Sequence, residues 1–240
     1  MITDYLRFDD NKDKSEKKII ADYFSMCKDG QLDKVKELFK LLSFYGKTIN
    51  YKHLIEGIYI TIKNNDKLFL KYLLLNIPIV EEEDFFKVMT YIGRYGDGDL
   101  LEVLHHHYKD EVENKIDTSE ILVAAVENNN IDMVDFLLTN KEIKNPDIHL
   151  HYDKALRYAC THEHIDIIKF LLTSEKLKEK ANIHAKNAEC LIWSFKSEKF
   201  KTVDYLLFEY KIKMTEDLKT YVKNNRELID YINKKGLSNG

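Results

Sequence analysis

Leu122-Val-Ala-Ala-Val-Glu-Asn-Asn-Asn-Ile-Asp-Met-Val-Asp-Phe-Leu-Leu138 reads as two short helices back to back, with Pro146-Asp-Ile-His-Leu-His151 as a small extended finger behind them. The unit recurs at once. Ala155-Leu-Arg-Tyr-Ala-Cys-Thr-His-Glu-His-Ile-Asp-Ile-Ile-Lys-Phe-Leu-Leu172 runs into Ala181-Asn-Ile-His-Ala-Lys-Asn187. The apolar residue in the middle of each second helix serves as an anchor, and the pattern then extends both ways along the chain. The anchors are Val35, Leu70, Leu101, Val134, Ile168 and Val203, at spacings of 35, 31, 33, 34 and 35 residues. A period near 33 marks a stacked-repeat architecture. A looser stretch, Leu218 to Ile232, puts Ile229 at the anchor and reads as a degenerate terminal cap over the exposed core.

Composition agrees with helices. Among 240 residues there are only eight glycines and two prolines, too few for the turns of a β-rich chain. Hydrophobic content of 44% and charged content of 32% suit a globular fold with a sizeable core. No apolar run reaches the roughly 18 residues needed to span a bilayer. The N-terminus lacks the basic-then-apolar layout of a signal peptide. Three cysteines, Cys27, Cys160 and Cys190, argue for a reducing, cytoplasmic setting over a disulfide scaffold. A net charge of −4 with no long Lys/Arg run disfavours nucleic acid as a partner.

Residues 1–14 are polar and expected to be flexible, as is the tail 236–240. Ser15 can cap a helix to about Lys28, which Gly30 ends, and a second helix from Leu32 to Phe44 stops near Gly46. One repeat domain over 15–235 is expected, with units at about 15–46, 51–77, 83–108, 118–151, 152–186 and 187–212 and the cap at 215–233. Small residues at Ala125, Ala159 and Ser194 should let each first helix approach the next repeat.

The residues inside the unit resemble ankyrin repeats. Leu122 and Leu156 stand at the family's first-helix leucine, and Ala125 and Ala159 at its small position. Ile131-Asp-Met-Val and Ile165-Asp-Ile-Ile open second helices that close in Leu137-Leu138 and Leu171-Leu172. The sixth unit follows with Leu191, Ser194 and Val203-Asp-Tyr-Leu-Leu207, so the resemblance is specific over about 118–210 and rests on periodicity elsewhere. The family's Thr-Pro-Leu-His is replaced by Glu120-Ile-Leu-Val123 and Lys154-Ala-Leu-Arg157, and the finger is about three residues short. Short fingers of this kind are similar to divergent repeats of large DNA viruses and phages. The resemblance implies an all-α, ankyrin-like solenoid that binds a protein partner, with occlusion of a host or defence protein as a viral use.

Several clusters invite a chemical reading. His162-Glu-His164 could hold a metal, but it falls at the inter-helix turn, and His164 matches the turn histidine that satisfies backbone groups in the family. His149-x-His151 would project to one face of a strand, and with His184 is read as fingertip. His105-His106-His107 ends a second helix, where consecutive residues diverge and make a poor chelate. Gly93-x-x-Gly96-x-Gly98 is not a phosphate loop and reads as a loosened turn. Glu81-Glu-Glu-Asp84 is the acidic first turn of a helix over Phe85–Tyr95. Cys160 and Cys190 belong to the inter-repeat seam, and Trp193 to the core, with an anchor for a partner as the second reading.

No cofactor or metal is expected, and no catalytic residue is assigned. In ankyrin proteins the partner touches fingertips and the inner face of the first helices. Carried over by position, that concave face comprises Arg94 and Tyr95, then Glu127 and Asn128, then the finger residues His149, His151 and Lys186, and finally Thr161, His162, Lys196 and Ser197. The competing readings are a metal-dependent hydrolase or nuclease on an α-solenoid, built on the histidines, and a nucleic-acid-binding helical repeat.

Overall fold

The computed structural model describes residues 12–77, 79, 82–108 and 118–235. Among them are fourteen α-helices and no strand, so the fold is all-α. The expectations for residues 1–11, Glu81, the His107 side chain and the tail 236–240 lie outside what is described. Contacts divide the described chain into two compact units, one running to Leu137 with Lys141–Lys144, the other comprising Leu138–Asn140 and Asn145 onward.

The first unit holds four helix pairs. They are α1 (Lys12–Lys28) with α2 (Leu32–Phe44), α3 (Tyr51–Lys63) with α4 (Lys67–Asn76), α5 (Glu82–Tyr95) with α6 (Gly98–His107), and α7 (Thr118–Glu127) with α8 (Ile131–Thr139), whose last residues pass into the second unit. First helices lie side by side, α1 on α3, α3 on α5 and α5 on α7. The anchors Val35, Leu70, Leu101 and Val134 are fully buried between the layers.

One turn joins most pairs. A left-handed residue stands two positions after the end of the first helix: Gly30 at φ 65°, Asn65 at 53° and Asn129 at 56°. The next amide reaches back five residues, from Gln31 to the Met26 carbonyl and from Asn130 to the Ala125 carbonyl, both at 2.9 Å, which satisfies carbonyls the helix end would leave bare. The second helix is then capped by Asp66, Asp97 or Asn130, each four residues before its anchor, whose side-chain oxygen accepts the N–H of Phe69, Leu100 or Met133. Lys67 and the side-chain amide of Asn65 also bind Asp97. Burial opposes it, but the Leu100 amide, Asn65 and Lys67 together hold the Asp97 carboxyl below its usual range.

Asparagines tie the second and fourth turns to the previous repeat. Asn64 Nδ2 donates to the carbonyls of Cys27 and Lys28, Asn128 Nδ2 to Arg94, and Asn130 Nδ2 to Gly93 and Gly96. The third pair departs from the turn, because Gly96 keeps a negative φ. The expectation of a loosened turn at Gly93-x-x-Gly96-x-Gly98 is corrected here, since these glycines mark close approach. A methyl on Gly93 would stand 2.8 Å from Ile121 Cγ2 and 2.9 Å from the Ile121 carbonyl oxygen, and one on Gly98 would overlap the Phe136 ring. Two further boundaries move. The opening helix begins at Lys12, so Ser15 lies inside it and does not cap it. The acidic residues Glu82, Glu83 and Asp84 are already helical, as the first turn of α5.

The second unit holds α9 (Leu150–His162) with α10 (Ile165–Thr173), α11 (Ala185–Lys196) with α12 (Phe200–Asp204), and the terminal α13 (Glu216–Asn224) and α14 (Arg226–Lys234). Past α12 the chain widens into a π-turn, Tyr205–Glu209, closed by the Tyr210 N–H on the Tyr205 carbonyl at 2.8 Å. Ile168 and Val203 are fully buried. Left-handed Glu163 (φ 62°) and Glu198 (φ 57°) occupy the turn position. Cys160 and Cys190 meet at the seam between α9 and α11, where burial and then the neighbouring Cys190 push the Cys160 thiol well above its ordinary range. The small residue Ser194 hydrogen-bonds the carbonyls of Cys160 and Cys190 at 3.2 and 2.5 Å.

The fingers are not extended. Asp147 and Asn182 each fold an Asx turn, accepting the N–H of His149 and His184 at 2.8 and 2.9 Å. Each first helix then opens with a left-handed turn, His151, Tyr152 and Asp153 at φ 50–59° and Lys186, Asn187 and Ala188 at φ 49–62°. Shortening the finger leaves no room for a hairpin, so the chain reverses inside one turn. The cap also differs from expectation. Asn225 caps α14 by accepting the Leu228 N–H at 3.0 Å, which turns Leu228, fully buried, toward the core, and Ile229 is only partly covered.

Candidate functional site

The first helices carry side chains that the core leaves partly or wholly exposed. In the first unit, two of the expected contact residues pair with each other, as Arg94 Nη2 lies 2.9 Å from Glu127 Oε2. Asn128 spends its amide on the Arg94 carbonyl at 2.8 Å. Tyr95, 37% exposed, ends a ladder of rings, with Tyr59 and Tyr91 stacked at 4.5 Å and Tyr91 and Tyr95 at 5.6 Å. Lys63 Nζ sits over both Tyr91 and Tyr95, at 5.8 and 5.1 Å from the ring centres. Burial first, and then the nearby Asp84 and other acidic groups, push the Tyr59 hydroxyl up to about 12.

In the second unit the finger and helix residues form another such surface. The left-handed turn presents Tyr152 at 67% exposure, and Lys186 from the next repeat lies 5.4 Å above its ring. His149 Nδ1 bonds the buried Asp153 carboxylate at 2.9 Å, and the same carboxylate oxygen accepts the Asn182 N–H at 2.7 Å. Arg157 braces the turn, donating to the carbonyls of Tyr152 and His151 at 3.0 and 2.9 Å and pairing with Glu189 at 2.8 Å. The His151 ring is exposed above it.

Along the helices, Lys154 lies over Tyr158 at 5.8 Å. The His162 ring stacks between Tyr158 and His164, at 5.9 and 5.6 Å, and its Nδ1 bonds the Tyr158 carbonyl, as does the Thr161 hydroxyl. Trp193, expected in the core, is 48% exposed, with Lys196 5.7 Å from its ring. The reason is register. Trp193 precedes the buried Ser194 by one residue, which turns it out of the seam toward the open side of the helix. Ser197, exposed, closes α11 with its N–H on the Trp193 carbonyl at 2.9 Å.

Among the described residues, no three His, Cys, Asp or Glu side chains converge to hold a metal ion. His164 makes no capping bond to α10 through its ring. In the first unit, side-chain amides of Asn64, Asn128 and Asn130 bond backbone carbonyls of the previous repeat.

With the turn, the buried seam and the displayed inner face in place, a comparison with protein families is decisive. A model described as ankyrin repeats in three copies matches residues 88–187 and 122–217, together more than half of the chain. The chain belongs to the ankyrin-repeat family. Ankyrin repeats are generally protein–protein interaction modules and typically non-enzymatic. The helix pairs before residue 88 lie outside the match, yet Gly30 and Asn65 make the same left-handed turn as Asn129 in the matched region. No curated protein and no solved structure matches the chain significantly. No helix among the described residues is long and apolar enough to cross a membrane.

Tyr59, Tyr91, Tyr152 and Tyr158 of this ankyrin surface were missed by sequence reasoning. Tyr91 and Tyr158 share Trp193's place, one residue before the tightly packed Ile92, Ala159 and Ser194. Their register beside a tightly packed residue is the signal that could have found both.

Proposed function

We propose that this protein is a non-enzymatic module that binds a protein partner inside the cell, through the inner face of its first helices and its finger turns. The observation that carries the reading is the set of exposed rings, Tyr95, Tyr152 and Trp193, each with a lysine over its face. Exposed large aromatics are costly to leave in water and are the residues that dominate binding energy at interfaces. The short fingers support a viral or phage role in which the surface occludes a host or defence protein.

The test is an affinity pull-down with mass spectrometry from the source cell, using the full chain and a parallel bait carrying His151→Ala and His162→Ala. The expected result is a partner recovered by the first bait and depleted with the second. Equal recovery of the same proteins by both baits would remove these residues from the contact surface.

A further inference from the structure

The inner face of the second unit also constrains the chemistry of what binds it. Lys186 and Lys196 each hold an ammonium over an exposed ring, Tyr152 and Trp193, and among the described residues neither forms an ion pair within the chain. Lys154 stands over Tyr158 on the adjoining helix. Three of the carboxylates nearby are engaged within the chain, while Glu198, two residues past Lys196, is exposed. Asp153 is buried beneath His149 and the Asn182 N–H, Glu189 is held by Arg157, and Glu163 accepts the Lys201 N–H at 2.9 Å. Lys186, Lys196 and the faces of Tyr152 and Trp193 therefore stay available to a ligand, while Asp153, Glu189 and Glu163 are engaged within the chain. We infer that this face takes an acidic peptide segment, one in which Asp or Glu side chains alternate with apolar or aromatic ones.

The pairing explains why both kinds of residue are needed. An ammonium seated over a ring is held in place, so a carboxylate reaching it brings its apolar neighbour down on the ring edge. Charge complementarity of this kind sets specificity and association rate, while the buried ring contact sets residence time. A nucleic-acid strand fits less well. Binding to phosphates draws on many cations at once, and the one guanidinium of this surface, Arg157, is already spent on Glu189 and two carbonyls.

This assignment rests on the interaction-module reading above, and selection of peptides separates the two. The immobilised full chain would be panned against a random peptide display library, in parallel with a Lys186→Glu/Lys196→Glu variant and with Trp193→Ala, all shown by circular dichroism to melt alike. The expected pool is rich in Asp and Glu with interspersed aromatic or aliphatic residues. Its peptides should quench or shift the emission of Trp193, the chain's single tryptophan, and bind the double-lysine variant at least about tenfold more weakly. Enriched peptides that are neutral or basic, or that ignore the lysine reversal while losing affinity with Trp193→Ala, would overturn the acidic assignment and leave the interaction module standing. Failure to enrich any peptide, or tighter retention of an oligothymidylate than of the best peptide, would overturn both.

Discussion

The two compact units make the same inter-helix turn from different residues. In the first, the left-handed positions are filled by Gly30, Gly46, Asn65 and Asn129, the residue types that adopt positive φ at least cost. The second has no glycine in residues 138–235, yet nine of its residues are left-handed, including two runs of three. Each of these residues other than Asp153 and Asn187 costs about 1–2 kcal/mol of backbone strain. The strain is held by specific bonds. Arg157 clamps the carbonyls of His151 and Tyr152, Asp153 takes the Asn182 N–H, and Glu163 reaches the Lys201 N–H across the repeat. A glycine turn would be cheaper but would display nothing. The second unit uses its turns to carry side chains outward, and Tyr152 and Lys186 are the ones displayed.

The largest effects should be blind to this difference, because both units share one kind of core. Leu70→Ala in the first and Ile168→Ala in the second, both fully buried, should each cost about 2–5 kcal/mol by chemical denaturation. A loss confined to one of them would mean that the repeat register fails in the other unit. Next come two substitutions aimed at the devices peculiar to each unit. Gly93→Ala should cost about 1–3 kcal/mol through overlap with Ile121. Asp153→Ala should cost about as much by leaving the Asn182 N–H without its acceptor, also about 1–3 kcal/mol.

The sharpest contrast has opposite signs. Gly30→Ala should destabilise by about 1 kcal/mol, whereas Glu198→Gly, at φ 57°, should stabilise by up to about 1 kcal/mol, the strain relieved exceeding the entropy that glycine adds to the unfolded chain. If Glu198→Gly also destabilises, the left-handed turns of the second unit are not strained as described.

The smallest effect concerns pH. The folded-state Asp97 carboxyl is depressed, so its contribution is complete above the unfolded carboxylate pKa of about 3.9 and is lost as pH falls through the lower folded value. Asp97→Asn keeps a capping oxygen, so its melting-temperature deficit against the parent should be constant near neutrality and close below about pH 3.9. A deficit that stays constant into acid would remove the charge from the account.

Much of the architecture was legible because it follows from spacing. All six anchors are buried, and helices such as Leu32–Phe44 end where glycine allows. What was not legible depends on which way a single residue turns. Ile229 and Leu228 are both apolar neighbours, and only the Asn225 cap decides which faces in. Asp147-Ile-His-Leu-His151 has the alternation of a short strand, but the Asx turn at Asp147 wins locally and sends the chain into a left-handed turn. Trp193 is expected in the core, and only its place beside Ser194 turns it outward. Tyr59 and Tyr91 draw their importance from mutual stacking at 4.5 Å between neighbouring repeats, which neither position shows alone.

The central claim is that binding belongs to the inner face and not to the outer helices. It is tested most directly by titrating the partner recovered from the pull-down against Trp193→Ala and, as an outer-face control, Asp166→Ala, exposed on α10, with folding of both verified by thermal melts. The account predicts an affinity loss of about tenfold or more for Trp193→Ala and none for Asp166→Ala. Unchanged affinity for Trp193→Ala together with a loss for Asp166→Ala would contradict it.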